Sequence, residues 1–185
     1  RAWQIGELAH LCDRLGCPRP IIAQPLYNMV NRQVEADLLP ACEYYGIGVT
    51  PYSALARGVL TGKYAFGKDA PSNSRAGRGD PSILSRDFQK ESFQVVEKIK
   101  KYIAKRNMTP SDFAVNWLLN NQLVTSVIGG PRTMGHWRAS VNAIKHDFTA
   151  EDEAFVNTLV APGHPATPGH TWGRYPVQGR RAING

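Results

Sequence analysis

The sequence predicts an α/β fold in which parallel strands alternate with helices, and three observations carry that reading. Short apolar runs near 20–24, 47–52 and 124–128 read as strands. Between them lie segments whose apolar residues recur at spacings of three and four, the mark of a helix with one buried face. Helix passes to strand over joints of a few residues, the rhythm of a βαβ unit. With 185 residues, 42% of them hydrophobic, the chain can bury one ordinary core, and 17 Gly and 13 Pro are too few for disorder overall.

Taken in order, Ile5, Leu8, Cys12 and Leu15 place a helix over 2–15, and Gly16 stops it. Pro20 to Gln24 is the first strand. Asn31 offers a cap for a helix over 33–45, with Val34, Leu38, Cys42 and Tyr45 on its buried face and Pro40 bending it. Gly46 ends that helix, and the second strand runs from Ile47 to Tyr52. Residues 66–85, rich in Gly, Ser, Asp, Arg and Pro, read as a mobile loop. A long helix over 88–106 puts Phe93, Val96, Ile99 and Ile103 on one stripe. Thr109-Pro110-Ser111-Asp112 caps the next helix, which carries Phe113, Trp117 and Leu118 inward. Val124 to Ile128 is the third strand, and Gly129 to Thr133 turns into a helix starting near Met134. Thr149 caps a last helix to about Val160, so residues 1–160 form the body and 161–185 an irregular tail.

Composition narrows the function. A formal charge of +7 suits nucleic acid, an anionic cofactor or a solvated basic face. Lys98, Lys100, Lys101, Lys105 and Arg106 alternate with the apolar stripe of one helix and are its wet side. No basic groove interleaved with aromatics appears, so nucleic acid is not an expected partner. No run of 18 apolar residues and no charged-then-apolar leader occur, which predicts a soluble cytoplasmic protein with no membrane partner. Cys12, Cys17 and Cys42 are odd in number, and Cys12 to Cys17 is wider than a zinc knuckle or two-residue redox pair, so they read as reduced thiols. His164 and His170 have no Cys or acid at ligand spacing, and no metal is expected.

The chemistry concentrates between Tyr45 and Tyr64. An aromatic, Tyr52, ends a strand and is followed by Ser53, Ala54, Ala56, Gly58 and Gly62 with Arg57 and Lys63. That suits a flat anionic ligand: the ring offers a face, small residues bring amides close, and the cations meet phosphate. Turn requirements alone also make such junctions small and polar. Gln24 can both donate to and accept from an amide, or can satisfy a strand-end backbone group. The turn at Gly129 and Gly130 beside Arg132 is a phosphate site at a helix N-terminus, or a tight turn with a surface Arg.

The stretch YSALARGVLTGKY at 52–64, with QPLYN at 24–28 and VIGGPRT at 127–133, resembles the aldo-keto reductases. The likeness is to the branch related to potassium-channel beta subunits and bacterial general-stress reductases, and it runs from residue 1 to about 160. It implies the C-terminal half of a (β/α)8 TIM barrel from an NADPH-dependent reductase of aldehydes or ketones, NADH being the other nucleotide admitted. By that resemblance Gln24 holds the nicotinamide amide and Tyr52 lies against its ring, with Ser53, Ala54, Leu55 and Arg57 on the same loop. Lys63 and Arg75 meet the pyrophosphate, while Arg78 lacks such a match and reads as solvated. Gly130, Arg132, His136 and Ser140 surround the adenosine end, with Arg132 near the 2′-phosphate. The usual Gln, Glu and Asn around the adenine stand here as His136, Ala139 and Ser140.

The family's catalytic Asp, Tyr, Lys and His lie upstream of anything in this sequence, so no catalytic residue is expected and the chain reads as a fragment. Three strands cannot close a barrel of eight, which predicts association with a missing N-terminal half or with further copies. A non-catalytic nucleotide sensor or scaffold subunit, or an inactive fragment, is the alternative. Trp172 and Tyr175 of the tail are expected at the substrate mouth.

Overall fold

The computed structural model describes residues 1–84 and 86–170. Helix α1 (Ala2–Leu15) stops where Gly16 turns left-handed at φ 64° and ψ 27°. The Gly16 amide bonds to the Asp13 carbonyl at 3.3 Å and the Cys17 amide to the Cys12 carbonyl at 3.0 Å, a Schellman cap that only glycine enters without strain. Strand β1 (Ile22–Ala23) follows. The single helix expected over 33–45 is divided into a 3-10 turn at Gln33–Glu35 and α2 (Leu38–Tyr44). Pro40 is the third residue of α2, within the first turn, where an amide has no intrahelical partner. It therefore fits an N-terminus instead of bending a longer helix. Tyr45 packs α2 onto α1, meeting His10 edge-on with ring centroids 5.7 Å apart.

Strand β2 (Gly48–Val49) pairs in parallel with β1, Ile22 opposite Gly48 and Ala23 opposite Val49. The amides of Gly48, Thr50 and Tyr52 donate to the carbonyls of Ile21, Ala23 and Pro25 at 2.9–3.0 Å. Residues 124–128 run alongside β2 in the same direction, Thr125 N–H reaching Val49 O at 2.8 Å and Ile128 N–H reaching Pro51 O at 3.0 Å. They do not complete the third strand that the sequence predicts. The Val49 amide is taken by the Thr125 hydroxyl at 3.1 Å, a side chain competing with the ladder.

The remaining helices are α3 (Pro81–Leu84), α4 (Lys90–Tyr102), α5 (Pro110–Leu119), α6 (Met134–Asn142) and α7 (Ala150–Leu159). The α4 stripe of Phe93, Val96 and Ile99 is buried, as is Ile103 just beyond it, each side chain contributing about 1.5–3 kcal/mol. Phe113 and Leu118 of α5 and Val156 of α7 close the core. Thr109 and Thr149 cap α5 and α7 reciprocally with Asp112 and Asp152. Asp152 is fully buried and also accepts from the Tyr102 hydroxyl at 2.9 Å and Arg106 at 2.8 Å, fastening α7 to α4. Burial pushes its carboxyl up, but the Thr149 amide, Arg106 and Tyr102 together outweigh that and hold it below the ordinary value.

Of residues 66–85, expected to be mobile, 66–80 are wound into hydrogen-bonded turns that lead into α3. Ser74 is buried, its amide on the Pro71 carbonyl at 2.8 Å and its hydroxyl accepting from Gly77 N–H at 3.0 Å. A Cβ at Gly77 would stand 2.1 Å from the Pro71 carbonyl oxygen, so no other residue fits there unmoved. Beyond Val160 the chain returns to the segment after β1: Arg32 N–H donates to His164 O at 3.0 Å and Ala166 N–H to Val30 O at 2.9 Å. Trp172 and Tyr175 lie outside the described residues. Among the described residues no helix is long and apolar enough to cross a membrane.

Candidate functional site

The sheet register decides which residues meet. Tyr52 bridges Leu26 in parallel and Ile128 bonds to Pro51, so the chain leaves all three extended segments on one rim, at Gln24, Tyr52 and Gly129. Gln24 is exposed and Tyr52 half-buried. Among the described residues no other ring or cation covers the Tyr52 ring.

The loop after Tyr52 is strained. Ser53, Ala56 and Arg57 have φ of 59°, 45° and 50°, a region that costs a residue with a Cβ about 1 kcal/mol or more. The contortion turns carbonyls inward: Ser53 O accepts from Ala56 N–H at 2.8 Å, and Leu55 O accepts from Gly58 at 2.8 Å and Leu60 at 3.2 Å. The amides of Ser53, Ala54 and Leu55 find no partner among the described residues. Three consecutive free amides are a backbone pattern that can cradle an anionic oxygen. Ala54 is buried and Leu55 half-buried, so both offer backbone more than side chain. Asn28 of the QPLYN stretch donates from Nδ2 to the Ser53 carbonyl at 3.0 Å and fixes the loop from the neighbouring strand exit.

Arg57 requires a correction. Its guanidinium forms an ion pair with Asp87, both side chains being about nine-tenths buried, and it is not the free cation expected for phosphate. Burial pushes the Asp87 carboxyl up, and Arg57 offsets only part of that. Arg57 thus anchors the strained loop to the segment before α4. Lys63 is exposed, its ammonium 5.0 Å from the Tyr64 ring centroid.

One cation of the 66–85 loop, Arg78, and one of the turn before α6, Arg132, converge on one carbonyl. Asn73 O accepts from Arg78 Nη1 at 3.0 Å and from Arg132 Nη2 at 3.3 Å, bringing two guanidinium groups within two hydrogen-bond lengths of each other. Among the described residues neither has a carboxylate partner, and exposed Arg75 has none either. Sequence reasoning left Arg78 as solvated, and no spacing signal links it to a residue as distant as Arg132. Gly130 is exposed, with open space where a Cβ would stand. His136 is exposed, its amide bonded to the Thr133 cap. The Ser140 hydroxyl donates to the His136 carbonyl at 3.0 Å, so its proton is held by its own helix and is not free for a ligand as expected.

A cleft of about 450 Å³ lies between Tyr27, Arg32, Trp117 and Phe148. A cavity of about 20 Å³ between Leu26, Asp87, Thr167 and His170 has room for about one water. Neither is lined by Gln24, Tyr52 or Gly129.

Fold and rim define an α/β protein with free amides and clustered guanidinium groups at the ends of parallel segments. Residues 2–160 match the model of the aldo/keto reductase family, and the chain belongs to that family. It is 37% identical over 131 residues, 70% of this chain and 40% of the relative, to a probable voltage-gated potassium channel subunit beta of Oryza sativa subsp. japonica. A protein of the same description in Arabidopsis thaliana is 36% identical over 77% of this chain and 44% of its own length. Aflatoxin B1 aldehyde reductase member 2 of Rattus norvegicus is 26% identical over 86% of this chain and 45% of its own length. The chain thus spans less than half the length of the curated relatives it matches.

Proposed function

We propose that these 185 residues are the nucleotide-binding half of a (β/α)8 barrel that reduces an aldehyde or ketone with NADPH. The observation that carries this reading is the run of free amides at Ser53, Ala54 and Leu55, on the same rim as Gln24, Tyr52 and Gly129. They would receive the pyrophosphate oxygens, with Lys63 and Arg75 supplying charge. Gln24 would hold the carboxamide and Tyr52 the ring face, while Gly130, Arg132 and His136 would meet the adenosine end. When bound, the reduced nicotinamide supplies the hydride. The acid that protonates the carbonyl oxygen comes from outside these residues.

Exposed apolar surface supports the half-barrel. Leu15 of α1 and Ile21 beside β1 are 69% and 80% exposed, and Met134 at the start of α6 and Ile144 in the 3-10 turn after it are 64% and 65% exposed, surface that the rest of a barrel would cover. The test adds NADPH and a reactive aldehyde to the chain. Nucleotide fluorescence should change on binding without steady loss of absorbance, and adding the upstream half should restore turnover. Absence of binding, or turnover by the chain alone, would overturn the assignment. A second reading, a nucleotide-binding subunit that senses and does not catalyse, is favoured by the names of the channel-subunit relatives. Binding without turnover in the reassembled protein would select it.

A further inference from the structure

The cap that ends α1 brings together two cysteines that their spacing appears to keep apart. In a Schellman cap the residue after the left-handed glycine folds back on a helix residue one turn earlier, and contact between their side chains frequently accompanies the bond. Those residues here are Cys17 and Cys12, joined by the 3.0 Å bond from the Cys17 amide to the Cys12 carbonyl. Burial first, and then the neighbouring Cys17 thiol, push the Cys12 thiol above its ordinary value. Cys17 is exposed and Cys12 buried, so one sulfur meets solvent while the other waits behind it. Cys42, also buried, is outside this cap. The backbone turn thus supplies what a disulfide needs: a short approach of two side chains fixed by the main chain.

We propose that Cys12 and Cys17 are a modification site for peroxide, closing to a reversible disulfide across the C-terminus of α1. The Cys17 thiolate attacks the O–O bond, forming a sulfenic acid and releasing hydroxide that is protonated to water. The Cys12 sulfur then displaces the sulfenic hydroxyl, which leaves as a second water once protonated. Two thiols lose two electrons and two protons, and one peroxide becomes two waters. A dithiol reductant reverses the step by exchange. The bond would clamp the cap directly before β1 and its exit at Gln24.

The test treats the full chain with hydrogen peroxide. Intact mass should fall by two hydrogens, and free thiols should fall from three to one. Trypsin cleaves between the two cysteines, after Arg14, so the peptides Ala2–Arg14 and Leu15–Arg32 should remain joined until reduced. Cys42→Ser should leave this cross-link intact and Cys17→Ser should abolish it. Because four residues separate the pair, the urea-unfolded chain is the decisive control: the folded chain should close at least about tenfold faster. Equal rates would show that the cap contributes nothing. Oxygen added to Cys17 without a cross-link, or an intermolecular dimer, would also overturn the proposal.

Discussion

Replacing Arg57 by Met strands a buried charge. Asp87 is paired with Arg57 and its side chain is only 8% exposed. Removing one partner of such a pair leaves an uncompensated carboxylate and costs about 3–5 kcal/mol. For a chain of this size a urea slope of about 2 kcal/mol per molar turns that into a fall of roughly 1.5–2.5 M in the unfolding midpoint. The double variant Arg57→Met/Asp87→Leu should recover most of the loss, since apolar replacement of a buried pair is often neutral. The Asp87 carboxyl already lies above its ordinary value and should rise further once Arg57 is gone. A group raised in the folded state contributes stability fully below its unfolded value and loses it as pH rises through its folded value. The single variant should therefore be closest to the parent in mild acid and furthest from it at neutrality. Urea titrations from pH 4.5 to 8 decide the matter. A single variant within about 1 kcal/mol of the parent at pH 7, or a double variant no better than the single, would refute a buried-pair origin for the loop anchor.

Three further outcomes are expected. Asp152, held below the ordinary carboxylate value, contributes stability above its unfolded value of 3.8 and loses it as pH falls through the depressed one. Asp152→Asn should cost about 2–3 kcal/mol at pH 7 and flatten the acid limb of the stability curve in calorimetry. On the proposed function, Arg78→Gln and Arg132→Gln should each weaken NADPH about tenfold in fluorescence titration and NADH little, because each would remove one of the two guanidinium groups gathered at the Asn73 carbonyl, where the 2′-phosphate would sit. Gly77→Ala collides with the Pro71 carbonyl and should cost about 1–3 kcal/mol, with faster tryptic cleavage at Arg75 and Arg78 as the loop loosens.

The helices α1, α4, α5 and α7 were legible because apolar spacing and threonine caps act within a few residues, and the same local chemistry forms them in the fold. Division of the 33–45 helix was harder to see: Pro40 stands as comfortably in a first turn as it would bend a longer helix. The third run paired only in part because the Thr125 hydroxyl took a strand amide, a competition that β propensity does not register. That the exits at Gln24, Tyr52 and Gly129 share one rim was readable through the resemblance, but the partners of the residues around them were not. Arg57 meets Asp87 thirty positions later, and Arg78 meets Arg132 only through the Asn73 carbonyl. Cys12 and Cys17 are free thiols, as expected, but the backbone reversal at Gly16 that links their positions is not visible in their spacing.

Arg32 carries a consequence of its own. Its buried guanidinium bonds to Glu35, to Asn157 and to the Val160 carbonyl 128 positions away, while resting 5.2 Å from the Trp117 ring centroid. Three stretches, around residues 32–35, 117 and 157–160, share that single fastening. Damage at any of them should produce a common defect, and random mutagenesis should return the same phenotype from sites that look unrelated on a linear map.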